Sequence, residues 1–115
     1  MVKLESLKRS IDFKKVLKGK RINTEFFLIF AKKKVVQSKN KNLIISFVMK
    51  KKIGNSVKRN KIRRKLKAIV QKFLKKKDAI NRDYTYIVFG KSSAYAQKQN
   101  MLMPLMEKSF KKLNN

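Results

Sequence analysis

Between Glu25 and Asp78 the chain carries no acidic residue, yet 19 of its 33 Lys and Arg fall in that interval. Within it, Ile62, Leu66, Ile69, Val70 and Phe73 recur at the i, i+4, i+7, i+8, i+11 spacing of one helix face. Seven positive charges lie between Lys58 and Lys67. Like charges three and four apart destabilise an isolated helix. The segment therefore needs a packed underside and an outer face that meets a polyanion.

At 100° per residue from Ile62, the residues Asn60, Arg64, Lys67 and Gln71 fall at about 140–200°, opposite the apolar stripe, with Arg63 beside them. No Glu or Asp alternates with these cations, and such pairing is what a merely solvated helix usually shows. Lys58 and Arg59 fall on the apolar side, which requires the first turn to project past the layer beneath it. Gly54-Asn55-Ser56 supplies two N-cap candidates. The end is expected near Lys75 to Lys77, where cations suit the negative end of the helix dipole.

Other elements follow from periodicity and breakers. Ser10 can cap a short helix carrying Ile11, Phe13, Val16 and Leu17, with Gly19 as its stop. Glu25 to Lys33 reads as a strand with Phe26, Leu28 and Phe30 on one side and Phe27, Ile29 and Ala31 on the other. Gln37 to Asn42 reads as a turn, Leu43 to Met49 and Tyr84 to Phe89 as strands, and Lys20 to Asn23 as a weakly signalled extra strand. A final helix is expected from about Leu102, with Leu105, Met106, Phe110 and Leu113 on one face and Pro104 in its first turn. The expected fold class is α+β, a compact α/β sandwich in the order helix–strands–helix–strand–helix (αβββαβα-like). A central four-stranded sheet is packed by helices in one domain over residues 1–115.

Composition narrows the chemistry. At 43% hydrophobic residues and 115 residues in length, the chain can bury a core. Its net charge of +27 points to RNA, DNA or an anionic surface as partner. With no Cys and no His, disulfides, thiolate metal sites and imidazole-based catalysis are excluded. The six acids, Glu5, Asp12, Glu25, Asp78, Asp83 and Glu107, are scattered in sequence, which makes a two-metal carboxylate site unexpected. No apolar run approaches bilayer-spanning or signal-peptide length. A cytoplasmic protein without membrane contact is the expectation, or an organellar matrix protein with its transit peptide removed.

The run Lys51-Lys52-Ile53-Gly54-Asn55-Ser56-Val57-Lys58-Arg59-Asn60-Lys61-Ile62-Arg63-Arg64 resembles the signature of the bacterial ribonuclease P protein family. Ser10-x-Asp12-Phe13-x-x-Val16 is similar to that family's first helix, Phe27-Leu28-Ile29-Phe30 to its first long strand, and Asp83-Tyr84 onward to its last strand. The resemblance implies a protein subunit that joins a catalytic RNA and assists removal of the 5′ leader of precursor tRNA. It implies no catalytic and no metal-binding residue in this chain, with Mg²⁺ held by the RNA subunit. It gives Lys51, Lys52, Asn55, Arg59, Asn60, Lys61, Arg63, Arg64 and Lys67 contacts with the catalytic RNA. It gives Phe13, Leu17, Phe30 and Lys91 a cleft for the leader. Strand alternation does not tell which sheet face is wet, so Phe13 and Phe30 are equally readable as core aromatics.

Four positions depart from the family pattern. Lys61 replaces a usual Arg, Lys50 a usual Ser, and Leu17 a common aromatic, while Gly90-Lys91 follows the last strand where Arg-Lys or Arg-Pro is frequent. A small basic ribosomal protein needs the same charge, as does a DNA-compacting protein, but neither explains the Lys-Lys-x-Gly-Asn block joined to Arg-Asn-Lys. Self-repulsion at this charge also implies that bound anions stabilise the free domain.

Overall fold

The computed structural model describes residues 3–33, 35–36, 42–76 and 80–114. The elements in chain order are β1 (Leu4–Glu5), α1 (Ser10–Leu17), β2 (Lys20–Asn23), β3 (Phe27–Lys33), β4 (Leu43–Val48), α2 (Ser56–Phe73), β5 (Tyr84–Gly90) and α3 (Gln99–Leu113). Short 3₁₀ turns occupy Lys51–Ile53 and Ser92–Ala94. The sheet runs β1-β4-β5-β3-β2. β4 and β5 are parallel neighbours joined through α2, and β3 lies antiparallel to both β5 and β2.

The mixed α+β architecture is as expected, but the sheet has five strands rather than four. The addition is β1, whose Leu4 and Glu5 pair in parallel with Leu43 and Ile44. Two residues carry no periodicity to read. The strand is fixed instead by distant partners: Leu43 N–H donates to Lys3 O at 3.0 Å and Leu7 N–H to Ser46 Oγ at 2.9 Å.

α2 and α3 share one apolar core with the sheet. Phe27, Ile29 and Ala31 of β3, Leu43 and Ile45 of β4, and Tyr86 and Val88 of β5 meet all five residues of the predicted α2 stripe there. From α3 come Leu102, Met106, Phe110 and Leu113, with Leu105 only partly buried. Phe110 stands edge-on to both Phe73 and Tyr86, at 6.0 and 4.9 Å between ring centroids. α1 lies against the opposite side of β3 and β5, burying Val16. Phe26 departs from the expected alternation: it packs against the α2–α3 core, because it lies in the turn before β3 begins.

Three further expectations are corrected. Ser10 is the first residue of α1 rather than its cap; Arg9 holds the cap position and makes no side-chain capping bond. Gly19 does not stop α1 in a left-handed conformation, since Lys18 already ends it in a right-handed one. Glycine is needed there for close approach, as a Cβ would lie 2.3 Å from Ala31 O. α3 starts at Gln99, so Pro104 falls beyond the first turn. Its missing N–H releases the Asn100 carbonyl, and both residues are exposed where water can replace the bond. The basic helix ends at Phe73, short of Lys75, and the expected turn at Gln37 to Asn42 falls largely outside the described residues.

Candidate RNA interface

The entry to α2 is set by two adjacent residues. Gly54 adopts φ 153°, a conformation open to glycine, and Asn55 Oδ1 accepts the Lys58 N–H at 2.9 Å. Asn55, one of the residues expected to meet RNA, thus has its side-chain oxygen committed to the helix cap. From that start, burial of Ile62, Leu66, Ile69, Val70 and Phe73 forces Asn60, Arg64, Lys67 and Gln71 outward, and all four are exposed. Lys51, Lys52 and Lys61 are exposed as well, while Arg59 and Arg63 are half-buried.

Neighbouring bonds restrain this face. Arg63 Nη1 donates to Asn60 Oδ1 at 2.7 Å, which fixes the outward carboxamide beside a guanidinium. Lys58 Nζ donates to Ser92 Oγ at 2.9 Å, so the first turn is tied to the segment after β5. Arg59 Nε is buried without a hydrogen-bond partner among the described residues. Among those residues the ion pairs are Lys76–Glu107 and Lys111–Glu107, both 3.5 Å, and neither involves a cation between Lys58 and Lys67.

One cation of the seven has a different position. Lys65 Nζ donates to the carbonyls of Ala94 and Tyr95 at 3.1 and 2.8 Å, and also to that of Gln97. Its pKa is lowered, first by burial and then by the charge of Lys61. Lys65 therefore anchors the 94–97 segment to α2. On the wheel Lys65 falls at about 300°, beside Lys58 on the flank of the apolar stripe and away from the outward Lys67 at about 140°, so its position marks an inward-leaning cation but not its partners.

Beside the α2 entry lies a groove of about 440 Å³ on the α1 side of the sheet. Leu28, Phe30 and Phe89 contribute from the strands, Leu17 from α1 and Ile53 from the turn before α2. Lys50, Lys52, Lys91 and Ser92 add polar groups. Phe30 and Phe89 meet edge-to-face at 5.7 Å between centroids, and Lys50 Nζ sits 5.6 Å from the Phe89 centroid. Lys91 is held in place through hydrogen bonds to Asn23 Oδ1 and to Thr24 O at 2.6 Å. The half-buried sheet face that the groove opens onto is thus the Leu28–Phe30 face, which alternation alone left open.

Of the four expected cleft residues, Leu17, Phe30 and Lys91 line the groove. Phe13 does not line it; it stands edge-on to Phe89 at 6.4 Å. Lys52, expected on the RNA face, also lines the groove. Sequence reasoning missed Leu28, Lys50 and Phe89. Phe89 is detectable only through register, since Leu28 pairs with Phe89 and Phe30 with Ile87 across β3 and β5.

Among the described residues no three His, Cys, Asp or Glu side chains gather into a group that could hold a metal ion. No helix among them is long and apolar enough to cross a membrane.

Comparison with known proteins bears on the family and the fold. The family model described as Ribonuclease P matches residues 1–114. The chain is 32% identical over 108 residues to the ribonuclease P protein component of Macrococcus caseolyticus, covering 93% of this chain and 88% of the relative. The fold is similar to that of the Thermotoga maritima RNase P protein, with a TM-score of 0.75 at 20% identity, covering 96% of this chain and 99% of that one. It is also similar to a Staphylococcus aureus RNase P protein, with a TM-score of 0.67 at 25% identity over 96% and 97% of the two chains.

Proposed function

Since the chain belongs to the ribonuclease P protein family, we propose that the basic face of α2 docks on the catalytic RNA of that enzyme while the adjacent groove receives the unpaired 5′ leader of precursor tRNA. Members of this family are protein components of the ribonuclease P holoenzyme and act in tRNA processing. The observation that carries the proposal is the adjacency of two unlike surfaces. An acid-free helix face with Asn60, Lys61, Arg64 and Lys67 outward begins where an aromatic groove flanked by lysines ends.

The chemistry of each surface fits its assigned partner. Phosphates on a folded RNA are neutralised by Lys and Arg with release of counterions. Lys51 and Lys52 extend that field to the groove, and the Arg63–Asn60 bond holds a polar group ready beside it. In the groove, Phe30 and Phe89 offer apolar surface for bases, each worth about 1–3 kcal/mol as a stacking partner. Lys50, Lys52 and Lys91 stand where leader phosphates would pass. Cleavage itself is assigned to the RNA subunit, which supplies Mg²⁺ chemistry. This chain binds and orients the leader and screens phosphate repulsion, in the cytoplasm.

The test is discrimination between substrates. The complex of the chain with its cognate catalytic RNA should bind precursor tRNA more tightly than mature tRNA, and the RNA alone should not. Phe89→Ala should reduce that preference about 5- to 150-fold, the range of one lost stacking contact. Equal binding of both tRNAs by the wild-type complex would refute leader recognition.

A further inference from the structure

Tyr95 lies outside both surfaces described above, directly after the Ser92–Ala94 turn. Among the described residues the exposed large apolar side chains are Ile11, Val57, Met101 and Tyr95. Only Tyr95 is aromatic, and it is 38% exposed. Lys58 Nζ and Lys61 Nζ sit over its ring, 5.3 and 5.2 Å from the centroid. Both cations come from the acid-free start of α2. The backbone carrying the ring is held from two sides: Tyr95 N–H donates to Ser92 O at 3.1 Å, and Tyr95 O accepts from Lys65 at 2.8 Å.

A part-exposed aromatic ring on a fixed backbone with ammonium groups over it holds the two contacts that unpaired nucleotides use, and the ring opens to a base as those cations move onto phosphates. Bases stack on the ring and the flanking phosphates meet the cations. A ring placed only for packing would bury its faces in the core, as Tyr86 does. We propose that Tyr95 is a stacking platform for an unpaired base of the catalytic RNA, with Lys58 and Lys61 on the neighbouring phosphates. The inference rests on the reading of α2 as the RNA dock. It commits to the catalytic RNA because Lys61 belongs to the same outward helix surface as Arg64 and Lys67.

The experiment measures binding of the full chain to its cognate catalytic RNA, without tRNA, across a series of salt concentrations. Tyr95→Phe, which keeps the ring, should bind like wild type. Tyr95→Leu should weaken binding about 5- to 150-fold with an unchanged salt slope, because no phosphate contact is lost. Its melting temperature should match that of Tyr95→Phe, which separates a lost contact from a lost fold. Wild-type affinity in Tyr95→Leu overturns the proposal and leaves the docking of α2 intact. A defect seen only when precursor tRNA is added also overturns it, by moving the base to the substrate. Failure of the wild-type chain to bind the catalytic RNA overturns both readings.

Discussion

Asn55 shows how a residue type can be right for two roles at once. Its place in the basic run marks it for RNA, yet its Oδ1 accepts the Lys58 N–H and starts the helix. Replacing an N-cap Asn by Ala costs about 1 kcal/mol, whereas Asp retains the acceptor. Asn55→Ala should therefore lower the unfolding free energy of the free chain by that amount, read as a lower denaturant midpoint at unchanged m, and Asn55→Asp should not. A midpoint unchanged in Asn55→Ala would show that the cap contributes nothing to stability. Lys58 gives the complementary lesson. Its place on the apolar side of the wheel predicted a first turn lying past the sheet, and it is half-buried with Nζ on Ser92. Lys65 lies on that same flank of the wheel, but its three carbonyl partners come from residues 94–97, and only tertiary structure brings them near.

At the scale of elements, legibility follows the length of the repeated pattern. The α2 stripe spans three turns with one period, so all five of its apolar positions were readable and all are buried. β1 offers two residues and no pattern, and Pro104, which suits a first turn, points to a start near Leu102 although α3 begins at Gln99. The groove was only half legible. Phe30 and Leu17 come from local patterns, while Phe89 joins them through the pairing of β3 with β5. The outward face of α2 makes a separable prediction. If about 6–10 phosphates are neutralised, log K for the catalytic RNA should fall against log[salt] with a slope of roughly −5 to −9. Arg64→Ala and Lys67→Ala should each make that slope shallower by about one while leaving the melting temperature unchanged. Slopes equal to wild type would place these exposed cations outside the contact.

At the scale of the whole molecule, a net charge of +27 governs behaviour before any RNA is bound. The described residues contain few acids to offset it, and Glu107 is already shared by Lys76 and Lys111. Self-repulsion lowers the stability of the compact state, and an anion that binds only the folded form raises it. Millimolar sulfate should therefore raise the melting temperature above that in chloride of equal ionic strength. Identical melts would mean that the folded chain has no preferential affinity for sulfate.

The central claim joins the two surfaces in one activity, and it is tested most directly by multiple-turnover cleavage of precursor tRNA at low magnesium. The cognate catalytic RNA would be assayed with and without the purified chain. Accurate 5′ cleavage should rise when the chain is added, because it holds the leader and screens phosphate repulsion. Cleavage of the same rate and accuracy in both reactions would contradict the account.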